Sequence, residues 1–252
     1  MKKLLIILFF LSLSCFAKEK VLRVGVSMGM PPMAYVENKE IVGVEIDLLK
    51  EFAKENNLKY KLVNLDFDNI IPAIREGLID VAMATMSKTK ARAEKVDFTE
   101  TYASISQMPL VHKQNAMRYQ SSLMLLNTID NVCVIKGYTG EDFVKENFLY
   151  SKVTVADTTT SALDNILNKK AEVLVADSVL IMWLASHYKD EGLIALPIIL
   201  RKEDLAWAVK KGNKELLEKL NNFINKIKKD NKLDEIIRQR IPYYDSNLYN
   251  RK

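Results

Sequence analysis

Apolar and polar positions along this chain change period several times, and each change marks an element. Residues 21–26 (VLRVGV) alternate and read as a strand. After the loop SMGMPPMAYVENKE, Ile46, Leu49, Phe52 and Ala53 recur at helical spacing over 45–54. A strand at 59–65 leads to a helix that Asp68 is expected to cap, that carries Ile70, Ile71 and Ile74, and that Gly77 stops. Residues 79–84 form a third apolar run of strand length. The order then returns: strand 131–135, helix 141–147, strand 153–156, helix 158–168, strand 172–175. Strands and helices alternating at this spacing predict βαβ units around mostly parallel sheets. No residue-level repeat relates the halves, so the likeness is one of architecture.

Two segments stand outside that alternation. Residues 103–111 and 204–209 are extended and poor in glycine, and the second precedes an amphipathic helix at 214–228 with Leu216, Leu217, Leu220, Phe223, Ile224 and Ile227 on one face. Two α/β units crossed twice by extended chain predict two lobes and a hinge. The division places residues 21–106 with 205–252 in the first lobe and 107–204 in the second.

The N-terminus adds an address. Lys2 and Lys3 precede an apolar run at 4–13 and small residues ending at Ala17, the layout of a signal peptide over residues 1–17. The run falls short of the roughly 20 apolar residues that span a bilayer. The expectation is export to the periplasm, with lipidation at Cys15 as an alternative way of leaving the leader. Loss of Lys2 and Lys3 takes the formal charge of +5 to +3, weak grounds for nucleic-acid binding. Cys133, flanked by Val132, Val134 and Ile135, then has no disulfide partner and reads as a buried strand thiol. His112 and His187 lack partners at metal-ligand spacing, so neither a metal nor another cofactor is expected.

The chemistry gathers where strands end. In LIDVAMATMSKTKARAEKVDFTETY, Thr85 and Ser87 offer hydroxyls beyond a strand and Arg92 follows at helical distance from Thr89. An arginine fork can grip a carboxylate through two parallel hydrogen bonds. The same letters also suit a solvated helix face. In the second unit, KGYTGE places Tyr138, Thr139 and Gly140 at a helix start, a ready anion site as well as a plain turn. Asp177, in VLVADSV, stands at a strand end where it would otherwise cap a helix. Arginine and hydroxyls for a carboxylate, with an aspartate for an ammonium, compose a clamp for a zwitterion.

These motifs occur in one order: PPMAY, GVEIDLL, FDNIIPAI, GLIDVA, MSKTKAR, VDFTETY, GYTGE and AEVLVAD. In them the chain resembles the periplasmic amino-acid-binding proteins of ABC importers, the family that includes glutamine and histidine binders, from Leu22 to about Ile241. The resemblance implies two Rossmann-like lobes joined by a two-strand hinge, an α/β fold of the type II periplasmic binding kind. It places the ligand's α-carboxylate on Arg92, Thr85, Ser87 and the Thr139–Gly140 turn, its α-ammonium on Asp177, and its side chain against Phe67 and Met30. Methionine at positions 30 and 33 departs from the family's aromatic residues and makes an adaptable wall. Ser27 stands where similar binders of basic amino acids carry an acid, and Tyr138 replaces a small residue and narrows the pocket.

The function implied is capture of a free, neutral, small-to-medium amino acid by a monomer, followed by delivery to a membrane permease, without catalysis. Two other roles fit the scaffold. One is an enzyme resembling cyclohexadienyl dehydratases, with Glu172 or Glu203 as acid but no motif behind either; the other presents ligand to a sensory partner.

Overall fold

The first alternating run becomes β1 (Leu22–Val26) in the computed structural model, which describes residues 21–241. The expected leader and Cys15 lie outside those residues. A hairpin of β2 (Tyr35–Glu37) and β3 (Glu40–Val42) follows, then α1 (Val44–Glu55), β4 (Tyr60–Asn64), α2 (Phe67–Glu76) and β5 (Val81–Ala82). The short α3 (Lys90–Ala93) and β6 (Asp97–Phe98) lead into the long β7 (Ala103–His112). Past a 3-10 turn, the chain runs through α4 (Ser122–Leu126), β8 (Asn131–Ile135), α5 (Thr139–Asn147), β9 (Lys152–Ala156), α6 (Thr159–Leu167), β10 (Val173–Asp177) and α7 (Ser178–His187). It returns by β11 (Leu193–Ala195), β12 (Arg201–Leu205) and β13 (Ala208–Val209), and α8 (Lys214–Lys229) and α9 (Lys232–Arg240) close it.

Two sheets organise these elements. The first has the order β4-β1-β5-β13-β6, the second β11-β7-β10-β8-β9, with β12 also paired to β7. β1 runs parallel to β4 and β5, and β8 runs parallel to β9 and β10, as the βαβ spacing predicts. The chain crosses between lobes along β7 and back along β12. The two lie antiparallel, from Ala103 opposite Leu205 to Gln107 opposite Arg201.

Several expectations shift in detail. Regular pairing in β5 covers only two residues, because Thr85 takes φ +52° and turns the strand out of its sheet. Asp66, not Asp68, occupies the N-cap of α2 and makes no side-chain cap bond. Asp68 sits in the first turn, where its charge suits the helix dipole, and faces Lys136 Nζ of the other lobe at 3.8 Å. Gly77 ends α2 in the left-handed conformation, as predicted. Helix α7, SVLIMWLASH, escapes a periodicity reading because it is apolar nearly all round.

The apolar face of α8 packs inward, with Phe223 edge-on to Phe52 of α1 at 5.3 Å. Cys133 is buried as expected, taking a weak bond from Asn165 Nδ2 at 3.7 Å while burial pushes its thiol pKa up. His112 is likewise buried, its Nε2 2.9 Å from Ile166 O. Among the described residues no helix is long and apolar enough to cross a membrane.

Candidate functional site

Arg92 is set in place by its own short helix. The Thr89 side chain caps α3 by accepting from Arg92 N at 3.2 Å. The guanidinium donates through Nη1 to Ser87 O at 3.0 Å and through Nη2 across the cleft to Gly137 O at 3.1 Å, and it stands 5.0 Å from the centre of the Phe67 ring. These contacts use part of its donor fork. Burial lowers its pKa while Asp177 and Glu203 oppose that shift, and arginine stays charged through such changes.

Asp177 comes from the opposite lobe. It occupies the N-cap of α7 yet makes no side-chain cap bond, so capping does not explain it. Strand register explains its surroundings: Asp177 of β10 lies opposite Gln107 of β7, and Gln107 lies opposite Arg201 of β12. Gln107 Nε2 donates to Asp177 Oδ1 at 2.6 Å and to Thr139 Oγ1 at 3.2 Å. Thr139 Oγ1 and Ser87 Oγ in turn donate to Glu203 Oε2, at 2.6 and 2.5 Å, and Arg201 Nε donates to Glu203 Oε1 at 2.9 Å. Burial and then the charge of Glu203 push the Asp177 carboxyl up to about 7, with Gln107, Arg92 and Arg201 holding it lower than it would otherwise be.

These groups meet in one place. Met30, Phe67, Thr85, Ser87, Arg92, Tyr138, Thr139 and Asp177 line a single cavity between the lobes. It is tight, about 10 Å³, room for about one water. Thr85 contributes to this lining and is buried, and its hydroxyl, although close to Glu45, makes no well-formed hydrogen bond among the described residues. Gly140 does not line the cavity. It packs behind, where a Cβ would come 2.7 Å from Gln107 Oε1 and 3.2 Å from Val175 O, so its small size lets the turn seat on β7 and β10. Beside the cavity, past Phe67 and Tyr138, lies a wider interlobe pocket of about 330 Å³ that includes Ser27, Asp66, Asp157 and Thr159.

The family model for bacterial extracellular solute-binding proteins, family 3, matches residues 22–241. The chain belongs to this family. Among curated relatives of this solute-binding protein, the glutamine-binding protein of a Bacillus subtilis ABC transporter is 28% identical over 79% of the chain and 72% of its own length. Among solved structures, an ancestral arginine-binding protein bound to glutamine superimposes with a TM-score of 0.81 at 32% identity, covering 87% of this chain and 97% of that one. An ancestral amino-acid-binding protein described as a precursor of cyclohexadienyl dehydratase gives 0.79 at 31%, covering 87% and 95%. These matches establish the two-lobed type II periplasmic binding architecture.

No motif in this solute-binding protein assigns Gln107 or Arg201 to the cleft, and Glu203 stands in the sequence only as an acid without one. The signals were present. Gln107 is the one amide in β7 and is buried there beside Ser106, and in RKEDL the inward positions 201 and 203 alternate with the exposed 202 and 204. Glu45 has no such local signal. It is fully buried, taking bonds from Thr85 N at 2.7 Å, Tyr102 Oη at 2.6 Å and Trp207 Nε1 at 2.8 Å.

Proposed function

We propose that this solute-binding protein captures a free amino acid between its lobes, in the periplasm and as a monomer, and delivers it to the permease of an ABC importer. One observation carries the reading: a guanidinium from one lobe and an ionisable aspartate from the other line the same buried cavity, together with Thr85, Ser87 and Thr139. Opposite charges held apart at that spot match the two ends of a zwitterion, and burying such a ligand is tolerable only when both its charges are paired. Relatives described as amino-acid binders support the same assignment. The ligand favoured is neutral and small to medium in size, because Ser27 brings no charge to the side-chain end of the cleft. The lobes taken as moving bodies are residues 21–106 with 205 onward, and 107–204.

A dehydratase-like activity has one observation in its favour, the buried Glu203 beside the cavity. Its hydrogen-bond partners Ser87, Thr139 and Arg201 are all donors, a set that suits an accepting carboxylate rather than a proton source.

Calorimetry on ligand-stripped protein against the proteinogenic amino acids tests the proposal, with the N-acetyl and amide derivatives of any ligand found. Binding of one or a few free amino acids, lost in both derivatives and in Arg92→Ala, is expected. Equal affinity for a derivative blocked at either end would remove the zwitterion clamp. Turnover of prephenate or arogenate would replace the binder with the enzyme.

A further inference from the structure

We propose that Tyr138 is a built-in size limit, a side chain that fills the part of the cleft into which a long ligand side chain would extend. The inference rests on the amino-acid reading above and narrows its neutral, small-to-medium class to amino acids with short side chains, naming the residue that sets the limit.

Tyr138 precedes α5 and comes from the second lobe, yet only 9% of it is exposed. Its ring meets the Phe67 ring of the first lobe edge-on at 4.8 Å. Its phenol faces the hydroxyls of Ser27 and Thr159. The same two rings line both the tight cavity that holds Arg92 and Asp177 and the wider pocket beside it. Phe67 and Tyr138 are therefore the partition between a space of about 10 Å³ and one of about 330 Å³.

The wider pocket has a chemistry of its own. Asp66, Asp68 and Asp157 contribute to its lining against the single cation of Lys136, which lies 3.8 Å from Asp68. With the ring gone, a ligand held by its charged ends would point its side chain past Phe67 toward Ser27 and these aspartates. A long cationic side chain would gain most, because it would bring both apolar length and a complementary charge. The phenol of Tyr138 instead occupies the space beside Ser27 and Thr159, and the Thr159 hydroxyl is partnered by Gly29 O whether or not the phenol is there.

The test compares wild type, Tyr138→Ala and Tyr138→Phe by titration calorimetry with alanine, serine, glutamine, lysine and arginine. Wild type is expected to prefer alanine or serine. Tyr138→Ala should bind arginine and lysine roughly tenfold or more tighter than wild type does, and Tyr138→Phe, which keeps the ring, should keep the wild-type order. Wild type binding arginine or lysine as tightly as alanine would overturn the proposal without recourse to any variant, and so would a folded Tyr138→Ala with an unchanged order. Failure of all three proteins to bind any amino acid would overturn the amino-acid reading itself, an outcome distinct from binding with the wrong order.

Discussion

A single carboxylate sets the electrostatic terms of the cleft. Burial and then Glu203 push the Asp177 carboxyl up to about 7, and it faces Gln107, Arg92, Arg201 and Tyr138. On the proposed reading the ligand's ammonium needs the anion, so protons and ligand would compete for it. Affinity should fall as pH drops below about 7, approaching roughly tenfold per pH unit, while the ligand's own charges stay fixed. For folding the sign reverses. An unfolded aspartate titrates near about 3.9, so between that value and about 7 the native state holds the extra proton, and the ligand-free protein loses stability as pH rises through this window. Asp177→Asn should bind weakly and flatten both profiles. Calorimetry from about pH 5.5 to 8 with one ligand checks this, and an affinity constant across that range would exclude Asp177 as the ammonium's partner.

At the scale of elements, helix α1 joins the site to the hinge. Glu45 reaches from its first turn to Thr85 N, to Tyr102 just before β7 and to Trp207 just after β12. It thereby holds Thr85 in its left-handed turn and ties that turn to both crossings. Glu45→Gln keeps the volume but turns an amide toward a donor, and should cost about 3 kcal/mol, read as a lower midpoint in chemical denaturation. A change under about 0.5 kcal/mol would show that the three donors do not depend on a second accepting oxygen. The motif GVEIDLL was visible in the sequence, but this reason for it was not. Periodicity marks which face of α1 is buried, whereas Glu45 belongs to that face through partners 40, 57 and 162 residues away. Gly43 is similar: at φ +130° a Cβ there would sit 2.2 Å from Met33 O, a close approach linking PPMAY to GVEIDLL that no local spacing encodes. Strand β8 and helix α8 were legible almost to their ends, β8 because it is one short unbroken apolar run and α8 because its apolar residues keep the helical period. The paired charges of β12 were not, because only its alignment with β7 gives them partners.

At the scale of the whole molecule, the lobes touch around the cleft through contacts that no single lobe contains. Arg92 reaches Gly137, Phe67 meets Tyr138, and Thr159 Oγ1 donates to Gly29 O at 2.5 Å. At the rim, Tyr35 of the β2–β3 hairpin lies 6.2 Å from Trp183 of α7, ring centre to ring centre. A ligand that binds this closed arrangement better than an open one shifts the population toward it. The two tryptophans report on that shift differently. Trp207 is buried within the first lobe, stacked near Phe223 at 6.1 Å and bonded to Glu45, so closure leaves its surroundings in place. Trp183 is half-buried beside Tyr35, and lobe motion of the proposed kind would give it or take from it both Tyr35 and solvent. Ligand titration should therefore change the fluorescence of wild type and hardly that of Trp183→Phe, while calorimetry shows that the variant still binds. Small-angle scattering should give a smaller radius of gyration with ligand than without. A full fluorescence response in Trp183→Phe would place the change around Trp207 instead, and an unchanged radius in a protein that binds would mean that capture does not require the lobes to close.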